Sequence, residues 1–232
     1  MRHLLPLLFL LLLAVPAQAQ PPFRVSLPLL AQAELTNVSP PVAADEVQVR
    51  STRIQRYSGY WNIIGEVINP TASPVFFVEI TARLLDAGGQ LVAVEDTFAT
   101  LTQVGPGRRS PFSVYIGNPP ATAAAFTIAV TDVNSSSSLA YRDVTILNIQ
   151  ARDNFGLEVF GDVRNPEELE MRGVEVVATF YDLAGNVVDL ENSFTSPSTL
   201  AAGATGTYSL KTFNDNLATA RVEVQAQGYL AP

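Results

Sequence analysis

The 232-residue chain contains no cysteine, and its single histidine is His3. Without cysteine there is no disulfide framework, no thiol nucleophile and no lipid-attachment residue. An exported chain of this kind has to be held by ordinary apolar cores, which domains of roughly 90 residues can supply. Without a histidine beyond position 3, Ser-His-Asp and Cys-His nucleophile systems are excluded, together with zinc sites of the usual ligand types and histidine acid–base catalysis. Carboxylates, tyrosines, arginines, hydroxyls and Lys211, the single lysine, remain for chemistry. Positive charge is scarce as well: 14 Lys and Arg against 22 Asp and Glu give a net charge of −8. Nucleic acid and anionic lipid both require a positive surface, so neither is an expected partner. No cofactor and no metal is expected.

Long apolar runs are missing after the first one. Arg2 and His3 precede an apolar stretch from Leu4 to Val15, interrupted by Pro6, and Ala17-Gln18-Ala19 offers a small-residue cleavage site. Residues 1–19 therefore read as a signal peptide, too short to span a bilayer well, that sends the chain to the periplasm, the cell surface or the medium. No membrane span is expected after cleavage. Residues 20–45 carry prolines too closely for a helix and show no period of two, so they read as an extended tether with one apolar segment, Phe23 to Leu30.

Helical periodicity is also missing; what is present is a repeat. Ile63-Ile64-Gly65-Glu66-Val67-Ile68-Asn69-Pro70 returns as Val159-Phe160-Gly161-Asp162-Val163-Arg164-Asn165-Pro166, 96 positions on. At the same offset, Asp86-Ala87-Gly88-Gly89 matches Asp182-Leu183-Ala184-Gly185, each a hairpin turn in which Asp accepts backbone N–H bonds and the last Gly takes positive φ. Apolar residues alternate in register: Trp61, Ile63, Gly65 and Val67 face the core in one copy, Leu157, Val159, Gly161 and Val163 in the other. The next strand has Phe76, Val78, Ile80, Ala82 and Leu84 inward, matched by Val174, Val176, Ala178 and Phe180. Alternation of this kind predicts antiparallel sheets with one solvated face. The expected fold is all-β: two tandem immunoglobulin-like antiparallel β-sandwiches, residues 46–132 and 143–232, joined by a flexible linker at 133–142.

These residues resemble the FxLYD domain family, immunoglobulin-like modules of secreted and membrane-anchored prokaryotic proteins. The resemblance lies in the Gly-acidic-Val-x-Asn strand end, the Val-Glu strand running into a Tyr-Asp turn, and the later Leu-x-x-Gly turn. Ala178-Thr179-Phe180-Tyr181-Asp182 keeps the Tyr and Asp of the naming motif, and Ala82-Arg83-Leu84-Leu85-Asp86 keeps the Leu and Asp. It implies a fold and an extracytoplasmic setting, with no catalytic residues. The Val-x-Asn-Pro elements are also similar, more distantly, to plant desiccation-response β-sandwiches.

Four groups offer themselves as sites. The Asn-Pro pairs recur, but Pro holds the preceding residue extended and Asn bonds local backbone, so they read as strand ends. Glu66 and Asp162 recur with Glu79 and Glu175; adjacent strands would bring such carboxylates together as a glycosidase needs, yet they fall on the solvated face, and no catalytic residue is assigned. Asp132, Asp143 and Asp153 lie near the expected junction without the spacing of a calcium loop. Asn37-Val38-Ser39 and Asn134-Ser135-Ser136 fit an N-glycosylation pattern but carry no weight in a prokaryotic-type module.

The difference between the copies is more telling. Outward positions of the first copy hold Ile64, Ile68, Phe77 and Leu85, against Phe160, Arg164, Gly173 and Tyr181 in the second. An apolar outer face is expected to be a partner surface, a contact between the domains, or the bed of the tether. The functional expectation is a secreted, non-enzymatic binding or spacer module at the cell exterior, with extracellular protein or polysaccharide as partner. A purely structural envelope component and a carboxylate-based hydrolase are the alternatives.

Overall fold

The computed structural model describes residues 36–37, 47–213, 219 and 221–231. The expected signal peptide and most of the expected tether lie outside them. The described chain is all-β and forms two tandem antiparallel β-sandwiches. The first contains β1 (Thr36–Asn37), β2 (Gln48–Tyr57), β3 (Tyr60–Ile68), β4 (Val75–Asp86), β5 (Leu91–Phe98), β6 (Gln103–Val104), β7 (Arg109–Gly117) and β8 (Ala123–Asn134). One of its sheets runs β2-β3-β7; the other runs β1-β8-β4-β5, with β6 also paired to β4. Only β1 against β8 is parallel among the described pairings.

The second sandwich contains β9 (Tyr141–Asp143), β10 (Thr145–Ile146), β11 (Gln150–Asp153), β12 (Leu157–Arg164), β13 (Met171–Tyr181), β14 (Val187–Phe194), β15 (Thr205–Thr212) and β16 (Arg221–Leu230). Its sheets are β14-β13-β16-β9, and β10 and β11 on one side of β12 with β15 on the other. Each sandwich has its own core. Ile63, Val78, Ile80, Phe112, Val114 and Phe126 anchor the first; Val159, Val174, Val176, Phe180, Leu200 and Leu210 anchor the second. β8 runs through Val133 and Asn134, and β9 begins at Tyr141, so the stretch between the last strand of one sandwich and the first of the next is shorter than the pattern suggested.

The repeated motifs turn out to be parts of the fold. Asn69 and Asn165 are fully buried. The amide of Asn69 donates to the carbonyls of Ser73 and Val104 at 2.8 Å, and that of Asn165 to the matching carbonyls of Leu169 and Leu200. Their side-chain oxygens accept the N–H of Thr71 and Glu167. Each asparagine thus ties two turns to a strand end and satisfies backbone groups that water cannot reach. Asp86 and Asp182 each accept two backbone N–H bonds in their hairpins.

The repeated glycine has a steric cause. Ser51 forms a bulge in β2 at φ 39°, where the register against β3 slips by one. Its carbonyl then lies over Gly65, so closely that a Cβ there would collide with it and stand 2.7 Å from Phe112 Cζ. At Gly161 the carbonyl of Asn148, between β10 and β11, occupies the same space.

The expected solvated faces are not all solvated. In β12 the outward Phe160 and Asp162 are half-buried and Arg164 is exposed, but β3 is continuously buried from Ile63 to Val67. β13 is likewise buried throughout its second half, from Val176 to Tyr181. The outer face of β2-β3-β7 in the first sandwich is docked against the outer face of β14-β13-β16 in the second, within one compact unit.

Candidate binding surface

The outer face of β2-β3-β7 is a grid set by strand register. Tyr57, Tyr60 and Gly117 stand side by side at the hairpin end; Gln55, Asn62 and Tyr115 come next, then Arg53, Ile64 and Ser113, and then Glu66 and Pro111. The far half of this grid is covered by the second sandwich, and the hairpin half is left open.

In the covered half, Ile64 is 1% exposed and packs with Tyr181, Val187 and Leu190. Beside it Glu66, 3% exposed, accepts hydrogen bonds from the Tyr181 hydroxyl at 2.9 Å and from Arg109 Nη1 at 3.1 Å. A carboxylate this deeply buried is tolerable only when paired, and here a cation and a hydroxyl fill the role. Burial and the Glu66 charge together hold the Tyr181 phenol far above its usual range, and Arg221 lies 4.0 Å over its ring. Around this centre Gln55 Nε2 donates to the Val188 carbonyl, and the Val187 N–H donates to Ser51 Oγ. On the other flank Arg108 Nη2 donates to Gln225 Oε1, Gln225 Nε2 to the Arg109 carbonyl, and the Gln103 N–H to Gln227 Oε1. Arg108 also reaches Asp143 at 3.5 Å. The junction is apolar at its centre and hydrogen-bonded at its rim.

The open half carries a row of aromatic rings. Tyr57 and Tyr60 stack with centroids 4.7 Å apart, and Tyr60 and Tyr115 at 5.4 Å. Tyr57 and Tyr115 are 41% and 61% exposed. The Tyr115 ring passes close over Gly117, where a side chain would crowd it. Trp61, facing the opposite way, packs against the core with Arg56 5.2 Å from its ring, as its inward register predicts. Asn62, in register with Tyr115, has a buried side-chain oxygen without a partner. From the second sandwich the Asp189 carboxylate acts on Tyr57 and, with burial as the larger cause, raises its phenol pKa. Glu191, two residues along β14, is pushed up to about 7 by burial and by Asp189. Of these two carboxyls, Asp189 is the one that acts on the tyrosine row, through Tyr57.

The four expected surface residues do not form one patch. Ile64 and Ile68 are on β3, whereas Phe77 and Leu85 are on β4 in the opposite sheet. Ile64 is not exposed at all; it is the centre of the contact between the sandwiches. Ile68 is half-buried on the same face. Phe77 lies in left-handed backbone at φ 49° and meets Tyr141 of β9 edge-on at 6.5 Å. Its counterpart is Gly173, where a Cβ would stand 2.9 Å from the Tyr229 ring; the first copy has Val133 there, which leaves room for a side chain. Leu85 is half-buried, on the face that also carries exposed Arg83 and buried Thr81.

The carboxylate pairs also separate. Glu66 lies on β3 and Glu79 on β4, and these strands belong to opposite sheets, as do those of Asp162 and Glu175. Neighbours in sequence are not neighbours in a sheet here, so the arrangement a glycosidase needs is not formed. Asp132 accepts the Val133 N–H and Asp143 faces Arg108; among the described residues no cluster of three metal-binding side chains occurs.

Glu158, the counterpart of Asn62, is the other carboxylate held tightly. Arg152 grips it with two bonds at 2.8 and 2.9 Å, and Asn154 and Ser209 add one each. These donors, Arg152 first, draw its pKa down to about 2. All of its neighbours stabilise the charged form, so it is a fixed anion rather than a proton carrier.

No protein-family model matches the chain, and no curated protein does. Among solved structures it is similar to red sea bream transglutaminase, at 11% identity and a TM-score of 0.26, over 80% of this chain and 29% of that one. The chain thus spans less than a third of that enzyme's length, and a likeness at this level carries no argument.

Proposed function

We propose that the protein is an exported, non-catalytic tandem β-sandwich that binds polysaccharide at the cell exterior through Tyr57, Tyr60 and Tyr115. The observation that carries this reading is the stacked tyrosine row, exposed at the open end of an otherwise covered sheet face. Tyrosine offers a flat apolar face with a polar tip, which suits the C–H faces and hydroxyl rim of a sugar ring. Asp189 adds a carboxylate that acts on Tyr57 at one end of the row. The row is private to the first copy: the second has Asp153, Gly156 and Lys211 at these positions. A feature absent from the repeat is not something the sandwich requires in order to fold.

The test is titration calorimetry of the purified protein against polysaccharides of its source cell. Tyr57→Ala with Tyr115→Ala is expected to weaken binding at least about tenfold and to shift stability by less than about 1 kcal/mol, since the two residues are 41% and 61% exposed. Undiminished binding would remove the reading, and capture of a protein through the same tyrosines would move the partner to the other class.

A spacer role is a second reading, favoured by the docked junction. Two sandwiches locked by Ile64, Glu66 and Tyr181 hold whatever lies before and after them in a fixed relation. The FxLYD-like motifs are compatible with either role.

A further inference from the structure

The two sandwiches are copies, yet they meet through different faces: one contributes its β2-β3-β7 face and the other its β14-β13-β16 face. A contact between unlike faces of like units leaves one face of each kind unused. Among the described residues, no second sheet packs on the outer face of β5-β4-β8 in the first sandwich or of β11-β12-β15 in the second. We propose that these two faces bind each other between chains, so that the protein assembles head to tail by repeating its own internal junction.

The residues at corresponding positions fit that assembly. At the junction, Val187 and Leu190 of β14 pack on Ile64 with Tyr181. Their counterparts on the free face are Leu91, Val94 and Leu85. Leu91 and Val94 are 55% and 44% exposed, while Val187 is 1% exposed. Apolar side chains thus stand at exposed positions of this face. On the other free face Phe160 takes the place of Ile64, and Leu147, which is exposed, takes that of Ser51.

The charged pair at the centre of the junction has a counterpart too. Asp162 replaces Glu66 and is half-buried, with one oxygen accepting Asn148 Nδ2 at 2.6 Å. Tyr181 is replaced by Leu85, which has no hydrogen to donate, but Arg83 stands exposed two residues away on the same face. Its long side chain can supply the cation that Asp162 needs once water is excluded. Heterologous contacts of this type form rings when the rotation closes and open chains when it does not.

Sedimentation velocity on the purified protein provides the test. The weight-average mass is expected to rise at least twofold between about 5 and 200 µM. Leu91→Asp with Val94→Asp should abolish the rise, and so should Phe160→Asp at the other end; Leu147→Asp is a second variant there should Phe160→Asp melt early. An equimolar mixture of one variant from each end must then form a dimer and nothing larger, because each partner retains one intact face. A wild-type protein that stays monomeric at about 200 µM would overturn the proposal. So would assembly that survives the Leu91 and Val94 changes, or a variant that dimerises with itself.

Discussion

β3 and β12 occupy the same place in two copies of one sandwich, yet β3 is buried on both faces for five consecutive residues whereas Phe160 and Asp162 of β12, the counterparts of Ile64 and Glu66, are only half-buried. β14 and β5 differ in the same way, with Val187 buried where Leu91 is open. Inward residues have the same character in both copies because both cores need them. Outward residues diverge because only one face of each sandwich is covered. The comparison teaches that the exposure of an outward residue here depends on which copy its strand belongs to, while that of an inward residue does not.

The largest expected contrast is therefore between equivalent substitutions. Val187→Asp buries an unpaired charge in the junction and should cost about 4 kcal/mol, whereas Leu91→Asp should leave the isolated chain within about 0.5 kcal/mol of wild type. Urea unfolding at low protein concentration measures both. Similar losses at the two positions would mean that the junction does not separate them.

A next, smaller effect should be equal in the two copies. Gly65→Ala and Gly161→Ala each drive a methyl group into a backbone carbonyl and are expected to cost about 3 kcal/mol apiece. A mild effect at either position would show that the bulge over that glycine can move.

The third contrast is in pH dependence. Glu191 has its pKa raised from its ordinary value of 4.5 to about 7, chiefly by burial. The folded chain thus binds a proton that the unfolded chain has already released, so stability from this group is fully present below pH 4.5 and declines up to about pH 7. Glu191→Gln should remove that decline and, after allowance for partial exposure, gain about 1 kcal/mol at pH 8. Glu158 has the opposite sign: its lowered pKa gives stability that is present above pH 4.5 and is lost as pH falls toward 2.

Much of the fold was legible in the sequence. Period-two alternation, the Asp-x-x-Gly turns and the 96-residue offset fix the strands and the two cores, because those signals depend only on neighbours along the chain. The docked faces were less so. Ile64 stood out as apolar on an outward position, but its contact with Tyr181 joins residues from different copies, and no spacing rule connects them. Glu66 read as an ordinary solvated acid, and only the placement of Arg109 and Tyr181 beside it shows otherwise. The tyrosine row was invisible as a row, since Tyr57, Tyr60 and Tyr115 come from three strands and the β3–β7 register that sets Tyr115 beside the other two joins residues distant in sequence. Pairing Glu66 with Glu79 failed for a simple reason: consecutive strands in a sandwich often cross to the other sheet.

The central claim is that Glu66 and Tyr181 join the two copies into one unit. A double-mutant cycle measures it directly, with Glu66→Ala, Tyr181→Phe and the pair compared by chemical unfolding. A buried hydrogen bond to a charged group predicts a coupling of about 1.5 kcal/mol or more. Additivity within about 0.3 kcal/mol would mean that the two side chains do not meet in solution, and would contradict the docked arrangement.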